Sequence, residues 1–231
     1  MSLITRYFTL IILALLMAFS AGGCAGRAAP VNLADYQGVI KLACVGDSIT
    51  QGVGAAGGQS WPDQIKKMLG EKWAVKNFGV SGATLLNTGD KPYQKESAFT
   101  KALEFTPDVV VIMLGTNDTK APNWAHKDTF AADYQDLISE FAALSSKPRI
   151  FICYPPYISG KGKFGINEAN TLAEFPMIDA AAKATKSTII DVHASLAGKD
   201  ALIPDRVHPN TEGAAAIATA VFQGLTGTSA K

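Results

Sequence analysis

The residues best suited to chemistry are a serine in the first quarter of the chain and a histidine near its end. Ser48 closes the segment Gly46-Asp47-Ser48, directly after an apolar run, and His208 follows Asp205 by three positions. A carboxylate can accept the Nδ1 proton of a histidine, which leaves Nε2 free to act as a base. A serine hydroxyl needs such a base to become a nucleophile. Each motif alone is short and common, and Ser48 could equally cap a turn.

Two further motifs also follow apolar runs. One is Gly79-Val80-Ser81-Gly82 and the other is Gly115-Thr116-Asn117-Asp118. Gly82 can bring a backbone N–H close to a ligand, and the Asn117 side chain is a neutral donor. The simpler interpretations are a tight turn at Gly82 and an Asx turn at Asn117.

Other polar candidates are weaker. Ser81 lacks the Gly-x-Ser-x-Gly setting of an α/β-hydrolase nucleophile, because position 83 is alanine, and Ser48 does not fit that motif either. His126 lies in a polar stretch and is predicted to be solvated. His193 is predicted to be structural or to line a pocket. No second ligand of zinc spacing stands beside it, so neither a metal nor another cofactor is predicted.

The elements that must position these residues are five short apolar runs. Runs without polar interruption are typical of strands that are covered on both faces, as in parallel sheets between helices. The predicted strands cover residues 40–45, 73–78, 108–114, 149–154 and 188–192.

Helical patterns separate the predicted strands. One helix is predicted over residues 93–105, and Pro176 should interrupt or kink the helix that begins at Asn167. This alternation predicts an α/β sandwich with a mostly parallel sheet, and it places the ligand site at the carboxyl ends of the strands. All four motifs are predicted to lie at that edge. Four helices have predicted N-caps: Ser60, Asp128, Asn167 and Asn210.

Taken together and in this order, the motifs resemble the SGNH hydrolases, also called the GDSL esterase/lipase family. The resemblance runs from about residue 40 to about residue 222. It implies a three-layer α/β/α sandwich of the flavodoxin-like type, with a five-stranded parallel sheet in the order 2-1-3-4-5. This fold agrees with the element pattern.

The resemblance also implies a role for each residue. Ser48 would be the nucleophile, and His208 would be the base and then the acid that protonates the leaving alcohol. Asp205 would orient the imidazole. The backbone N–H groups of Ser48 and Gly82 and the side-chain amide of Asn117 would form the oxyanion hole.

The expected substrate is a small acyl ester. The stretch 190–210 resembles bacterial sialate or carbohydrate O-acetylesterases, which implies a serine esterase for O-acetyl groups on carbohydrate, without a cofactor. Tyr154, Tyr157 and Trp124 could contact a sugar ring or simply pack in loops. A lysophospholipase or thioesterase of the same fold and a non-catalytic glycan-binding lipoprotein are the alternatives. The pocket rim is expected from residues 51–59, 84–91, 119–126 and 154–164.

The start of the chain predicts export. Residues 1–23 carry Arg6 ahead of an apolar run over 8–19, which suits a signal peptide core and is short for a membrane span. Cys24 follows small residues, as in bacterial lipoprotein signals, so lipidation at Cys24 and an anchored periplasmic or surface protein are predicted. Ordinary cleavage to a secreted protein is the alternative. Residues 24–35 are predicted to be a tether and 36–226 the hydrolase domain.

The net charge and the cysteines allow two further predictions, one about partners and one about disulfide bonds. The 231 residues carry a formal net charge of +1 and no basic cluster, which argues against a nucleic-acid partner. Contact with a membrane is expected only through the lipid anchor. Cys44 and Cys153 fall on predicted strands one and four, with strand three between them, so both are predicted to be buried free thiols.

Overall fold

The fold is seen in a computed structural model that describes residues 30–229. The predicted signal segment 1–23 and Cys24 lie outside the described residues. Within 30–229, five parallel strands form one sheet in the order β2-β1-β3-β4-β5, which confirms the predicted architecture and strand order. The strands are β1 Ile40–Gly46, β2 Trp73–Gly79, β3 Val109–Met113, β4 Arg149–Cys153 and β5 Thr188–Ile190.

Helices cover both faces of this sheet. Short 3₁₀ turns complete the connections, and among the described residues no helix is long and apolar enough to cross a bilayer. The helices are α1 Ser48–Gln51, α2 Trp61–Leu69, α3 Ser97–Glu104, α4 Ala121–Trp124, α5 Phe130–Ala142, α6 Glu168–Thr185, α7 His193–Leu196 and α8 Thr211–Thr226.

The central strand β3 divides the apolar residues between two cores. Val109, Val111 and Met113 pack with α2 and α8 on one face of the sheet. Val110 and Ile112 pack with α3, α5 and α6 on the other. All five side chains are buried, as the unbroken apolar run predicted. The sheet is therefore the middle layer of a three-layer sandwich.

Three of the predicted helix caps are confirmed. Ser60 and Asp63 form a capping box at the start of α2, in which each side chain accepts a hydrogen bond from the backbone N–H of the other. Asn167 accepts from the N–H of Asn170 at 2.9 Å at the start of α6. Asn210 caps α8 in the same way.

Two helix predictions were wrong in detail. Asp128 is no cap, because it lies inside a 3₁₀ turn, Lys127–Thr129, and α5 begins after that turn. The helix predicted over 93–105 is divided at Glu96, whose backbone is extended. The first part is a 3₁₀ turn held by Tyr93, whose hydroxyl donates to the carbonyl of Phe78 at 2.8 Å.

Helix α6 also departs from expectation. It continues through Pro176 without a break. Proline has no N–H to donate to the carbonyl of Leu172, but Pro176 lies on the exposed side of the helix, where water can bind that carbonyl instead. The side chain of Leu172, an apolar residue of this helix, is 46% exposed. The buried face instead includes Glu174.

The two cysteines occupy the predicted places. Cys44 lies on β1 and Cys153 on β4, with β3 between them in the sheet. Both are buried free thiols, as predicted.

The two ends of the described chain lie together. The N–H of Val31 donates to the carbonyl of Leu225 at 2.7 Å, near the end of α8. The guanidinium of Arg149 donates to the carbonyl of Pro30 at 2.8 Å. Because Arg149 begins β4, both chain ends lie at the amino ends of the strands.

Candidate active site

Ser48 lies at the carboxyl end of β1, where the chain turns into a very short helix. The preceding residue, Asp47, caps α1 by accepting the N–H of Ile49 at 2.9 Å. Helix α1 has four residues and is capped at its C-terminus by Gly52, whose N–H donates to the carbonyl of Ser48. This compact turn places Ser48 at the edge where parallel sheets bind ligands.

The loop after β2 holds this helix in place. Asn77 donates from its side chain to the carbonyl of Thr50 at 2.8 Å. The N–H of Ser81 donates to the side-chain oxygen of Gln51 at 2.9 Å. The end of β2 and the loop after it are therefore hydrogen-bonded to the helix that begins at Ser48.

Ser48, His208 and Asp205 form one hydrogen-bonded row. Ser48 Oγ lies 2.9 Å from His208 Nε2, although 160 positions separate the two residues. On the other side of the ring, His208 Nδ1 lies 2.7 Å from Asp205 Oδ2. The other oxygen of Asp205 accepts the backbone N–H groups of Val207 and His208, which fixes the carboxylate in an Asx-type turn.

The charge of Asp205 determines which ring nitrogen of His208 carries the proton. Partial burial acts to raise the pKa of Asp205, but the hydrogen bonds from the His208 ring and from two backbone N–H groups hold that pKa below its usual value. Asp205 is therefore ionised at neutral pH and accepts the Nδ1 proton. With its proton on Nδ1, the His208 ring offers Nε2 to the Ser48 hydroxyl.

The glycine-rich loop after α1 packs directly on His208. The sequence did not predict this contact. Gly54 has φ +92°, and a β-carbon on it would lie 2.9 Å from Cβ of His208 and 2.6 Å from the carbonyl of Pro209. The glycines of this loop are the sequence signal, and they predict a pocket rim over residues 51–59 without indicating contact with His208.

Gly82 sits in a β-turn closed by the N–H of Ala83, which donates to the carbonyl of Val80 at 3.1 Å. Gly82 has φ +80°, the conformation that glycine adopts most readily at the third position of such a turn. A β-carbon there would meet only Cδ of Lys91, at 3.8 Å. Within the protein, the backbone conformation and not crowding requires this glycine.

Asn117 lies beside that turn. It follows β3 in the 3₁₀ turn Thr116–Thr119, and its side-chain Nδ2 donates to the carbonyl of Ala83 at 3.0 Å. An amide nitrogen carries two donors, so a second N–H remains. The structure thus joins Asn117 to the loop of Gly82, and Ser48 to His208 and Asp205.

Three fully buried carboxyl groups lie next to these motifs. Burial raises the pKa of Asp47 to about 6. It raises that of Asp118 to about 7, although the N–H groups of Leu85 and Leu86 donate to this carboxyl. Burial also raises the pKa of Glu174 well above its usual range, and the charges of Asp118 and Asp47 act in the same direction.

Glu174 was not foreseen from the sequence. Both of its carboxyl oxygens are buried without a hydrogen-bond partner among the described residues. A β-carbon on Gly115 would lie 2.4 Å from one of them, so Glu174 lies directly against the motif that carries Asn117. The signal was its place on the buried face of α6, between Thr171 and Ile178.

The remaining histidines and Ser81 stay outside the row. His193 Nε2 lies 2.7 Å from Glu168 Oε1, and its ring lies edge-on to that of Phe175 at 5.1 Å. His126 is exposed. Within residues 30–229, no group of three His, Cys, Asp or Glu side chains is arranged to hold a metal ion.

The aromatic residues of the rim differ in availability. Tyr154 is stacked on Phe175 with a centroid distance of 4.0 Å, so that partner already covers one of its faces. Tyr157 lies edge-on to His193 at 5.7 Å. Phe164, in contrast, is 59% exposed, and its ring centroid lies 6.2 Å from that of His208.

Known proteins share this sequence pattern. A model of the GDSL-like Lipase/Acylhydrolase family matches residues 44–216. An acetylxylan esterase of Xylanibacter ruminicola is 36% identical over 213 residues, which is 83% of this chain and 44% of that protein. The chain therefore spans less than half the length of this relative.

Solved structures share the fold. A carbohydrate acetylesterase from Sinorhizobium meliloti superposes with a TM-score of 0.64 at 20% identity, covering 80% of this chain and 97% of that one. A catalytic mutant of an acetylxylan esterase from Geobacillus stearothermophilus gives a TM-score of 0.64 at 24% identity, with 81% and 94% covered. The aryl esterase of M. smegmatis gives 0.64 at 19% identity, with 80% and 97% covered.

Proposed function

Because the chain belongs to the GDSL-like lipase/acylhydrolase family of carboxylic ester hydrolases, we propose that it removes small acyl groups, chiefly acetyl, from the hydroxyl groups of carbohydrates. One observation carries the serine mechanism: the 2.9 Å contact between Ser48 Oγ and His208 Nε2, with Asp205 on the opposite ring nitrogen. The similarity to an acetylxylan esterase supports the choice of acetylated carbohydrate.

In the first half of the reaction, Ser48 Oγ attacks the ester carbonyl while His208 Nε2 takes the hydroxyl proton. The negative charge that develops on the carbonyl oxygen is stabilised by the N–H groups of Ser48 and Gly82 and by the free N–H of Asn117. The ionised Asp205 stabilises the imidazolium without taking its proton. His208 then gives that proton to the leaving sugar oxygen, the C–O bond breaks, and Ser48 remains acylated.

In the second half, water replaces the sugar. His208 takes a proton from the water as its oxygen attacks the acyl carbon, and the same donors stabilise the second oxyanion. Collapse of this intermediate returns the proton from His208 to Ser48 Oγ and releases acetate. The starting state of Ser48 and His208 is restored, and the net reaction consumes the ester and one water molecule.

The decisive experiment compares wild type with Ser48→Ala on acetylated xylan and on p-nitrophenyl acetate. The rate with Ser48→Ala should fall by at least about 10³-fold, because the variant has no nucleophile. Ser81→Ala is the matched control, since Ser81 lies at the same edge but outside the hydrogen-bonded row, and it should keep the wild-type rate. Equal rates for wild type and Ser48→Ala would end the serine-esterase proposal.

Substrate length separates the proposal from its alternatives. Acetyl esters should be hydrolysed faster than longer p-nitrophenyl esters. An optimum at eight carbons or more would favour a lysophospholipase or thioesterase. A folded protein that binds glycans but hydrolyses neither substrate would favour the non-catalytic alternative.

We also propose, from the sequence pattern at residues 1–24, that the protein is exported and lipidated at Cys24. Labelling with a palmitate analogue in a bacterial host tests this. The label should enter wild type and be lost in Cys24→Ala. A Cys24→Ala protein that is labelled like wild type would contradict lipidation at this residue.

A further inference from the structure

A tight turn beside the candidate active site carries a bulky residue in an unfavourable conformation. The N–H of Ile166 donates to the carbonyl of Lys163 at 2.9 Å, and the two residues between them are Phe164 with φ +57° and Gly165 with φ +81°. Turns with positive φ at both central positions strongly prefer Asn-Gly. Phenylalanine is disfavoured there because its β-carbon crowds the backbone.

This turn is fixed by its surroundings. Ile166 is buried in a small cluster with Ile158 and Val207. The N–H of Ser159 donates to the carbonyl of Arg206 at 3.1 Å. Val207 directly precedes His208, so the turn that carries Phe164 is built onto the segment that carries the catalytic base.

The Phe164 ring gains little from burial. It is 59% exposed, although its centroid lies only 6.2 Å from that of the His208 ring. Lys163 Nζ also lies 4.9 Å from its centroid. An exposed aromatic side chain in a disfavoured backbone conformation does not serve stability, and such outliers concentrate where structures bind or react.

The position of the Phe164 ring beside His208 indicates which part of the substrate it can contact. In the proposed mechanism His208 Nε2 delivers its proton to the leaving oxygen, so the leaving alcohol must lie against the imidazole. The carbonyl oxygen instead points to Gly82 and Asn117. A flat ring beside His208 therefore borders the alcohol and not the acyl group.

We propose that Phe164 is the surface on which the sugar ring of the leaving alcohol stacks, and that it sets the preference for carbohydrate esters. This inference rests on the proposed function. The C–H groups on one face of a pyranose carry partial positive charge and are apolar, so they match the negative face of an aromatic ring. Phe164 is a specificity-determining residue that contacts the substrate without taking part in bond making.

The test uses a variant whose effects on stability and on activity have opposite signs. Phe164→Asn places the preferred residue in the turn, so Tm should rise by about 2–4 °C as the backbone strain is relieved. The same variant should lose about 10-fold or more in kcat/KM on acetylated xylo-oligosaccharides. Hydrolysis of ethyl acetate, whose alcohol has no ring, should stay within about 2-fold of wild type.

Phe164→Trp and Phe164→Leu complete the design. Tryptophan keeps a flat face and should retain most of the carbohydrate activity. Leucine is apolar without a flat face, so Phe164→Leu should lose as much kcat/KM on acetylated xylo-oligosaccharides as Phe164→Asn. Equal loss on both substrates in Phe164→Asn would overturn the inference, because Phe164 would then be supporting His208. Unchanged activity on the oligosaccharide would overturn it as well. A wild-type protein inactive on both substrates would instead refute the proposed function itself.

Discussion

A β-carbon on Gly79 would lie 2.3 Å from the backbone nitrogen of Gln51. The same atom would lie 2.8 Å from the carbonyl oxygen of Asp47. The last residue of β2 therefore rests directly on the backbone of the helix that begins with Ser48. No side chain can yield at these contacts, so the position of Ser48 depends on the absence of a single methyl group.

Gly79→Ala should consequently impair both stability and activity. The methyl group must displace α1 or the end of β2, which costs about 1–3 kcal/mol in the free energy of unfolding. A displaced Ser48 should lower kcat/KM by about 10-fold or more, since small misplacements of reacting groups are costly. Steady-state kinetics on p-nitrophenyl acetate and thermal unfolding measure the two effects.

Gly38→Ala is the matched control for this prediction. No atom lies within 4 Å of a β-carbon at Gly38, and its backbone conformation is open to other residues. The control should match wild type in both measurements. Full activity in Gly79→Ala would show that the site tolerates movement of α1.

Asp205→Asn should leave the fold intact and remove most of the activity. Asparagine cannot stabilise the imidazolium, and its amide donor favours the wrong tautomer of His208, so kcat should fall by about 10²–10⁴-fold. Because its hydrogen bonds hold the pKa of Asp205 below the usual value, the wild-type carboxylate should stay ionised in mildly acidic solution. Its contribution to stability is present above the unfolded pKa and is lost only as the pH falls through the folded pKa. A pH series of kcat and of thermal unfolding for both proteins checks these points.

Asn117→Ala should lower kcat by about 10²–10³-fold with a smaller change in KM, because the lost donor acts mainly on the oxyanion. Asn117→Asp has the same shape but places a carboxyl where negative charge develops, and it should be at least as damaging. An Asp variant with near wild-type kcat would mean that this side chain does not face the oxyanion. Thermal unfolding reveals any separate effect of losing the bond to Ala83.

Glu174→Gln should become more stable relative to wild type as the pH rises. The folded state holds the pKa of Glu174 far above that of the unfolded chain, so wild-type stability declines as the pH rises above the unfolded value of about 4.3. This group alone contributes a decline of up to about 1.4 kcal/mol per pH unit, and glutamine removes it. Urea unfolding of both proteins between pH 5 and about pH 8 measures the difference, which is expected to grow with pH. A constant difference across that range would show that Glu174 is ionised in the folded protein.

The sequence was most informative where chemistry and topology coincide. Ser48 follows a strand, and the Asp205–His208 pair precedes a helix, so a parallel sheet brings them to one edge without further information. The structure places Ser48 and His208 in hydrogen-bond contact, while their catalytic roles stay a prediction. The capping residues Ser60 and Asn210 could also be predicted, because a cap depends on neighbours within three positions.

The sequence was least informative where distant contacts decide. Phe164 is exposed because Ile166 and Val207 fix its turn, and nothing in the local sequence states that. Glu174 is buried although glutamate is usually exposed, since its helix face packs on the sheet regardless of that residue. Pro176 failed as a break because the helix around it is stabilised by tertiary packing on its other face.

The arrangement of the chain ends gives the molecule an orientation. Pro30 lies beside Arg149 at the amino ends of the strands, and Ser48 lies at their carboxyl ends. A bead, a fused module or any other support joined directly ahead of Pro30 would therefore lie at the edge of the sheet opposite Ser48. Attachment through this end should therefore leave the proposed hydrolysis of p-nitrophenyl acetate as fast as in the free protein.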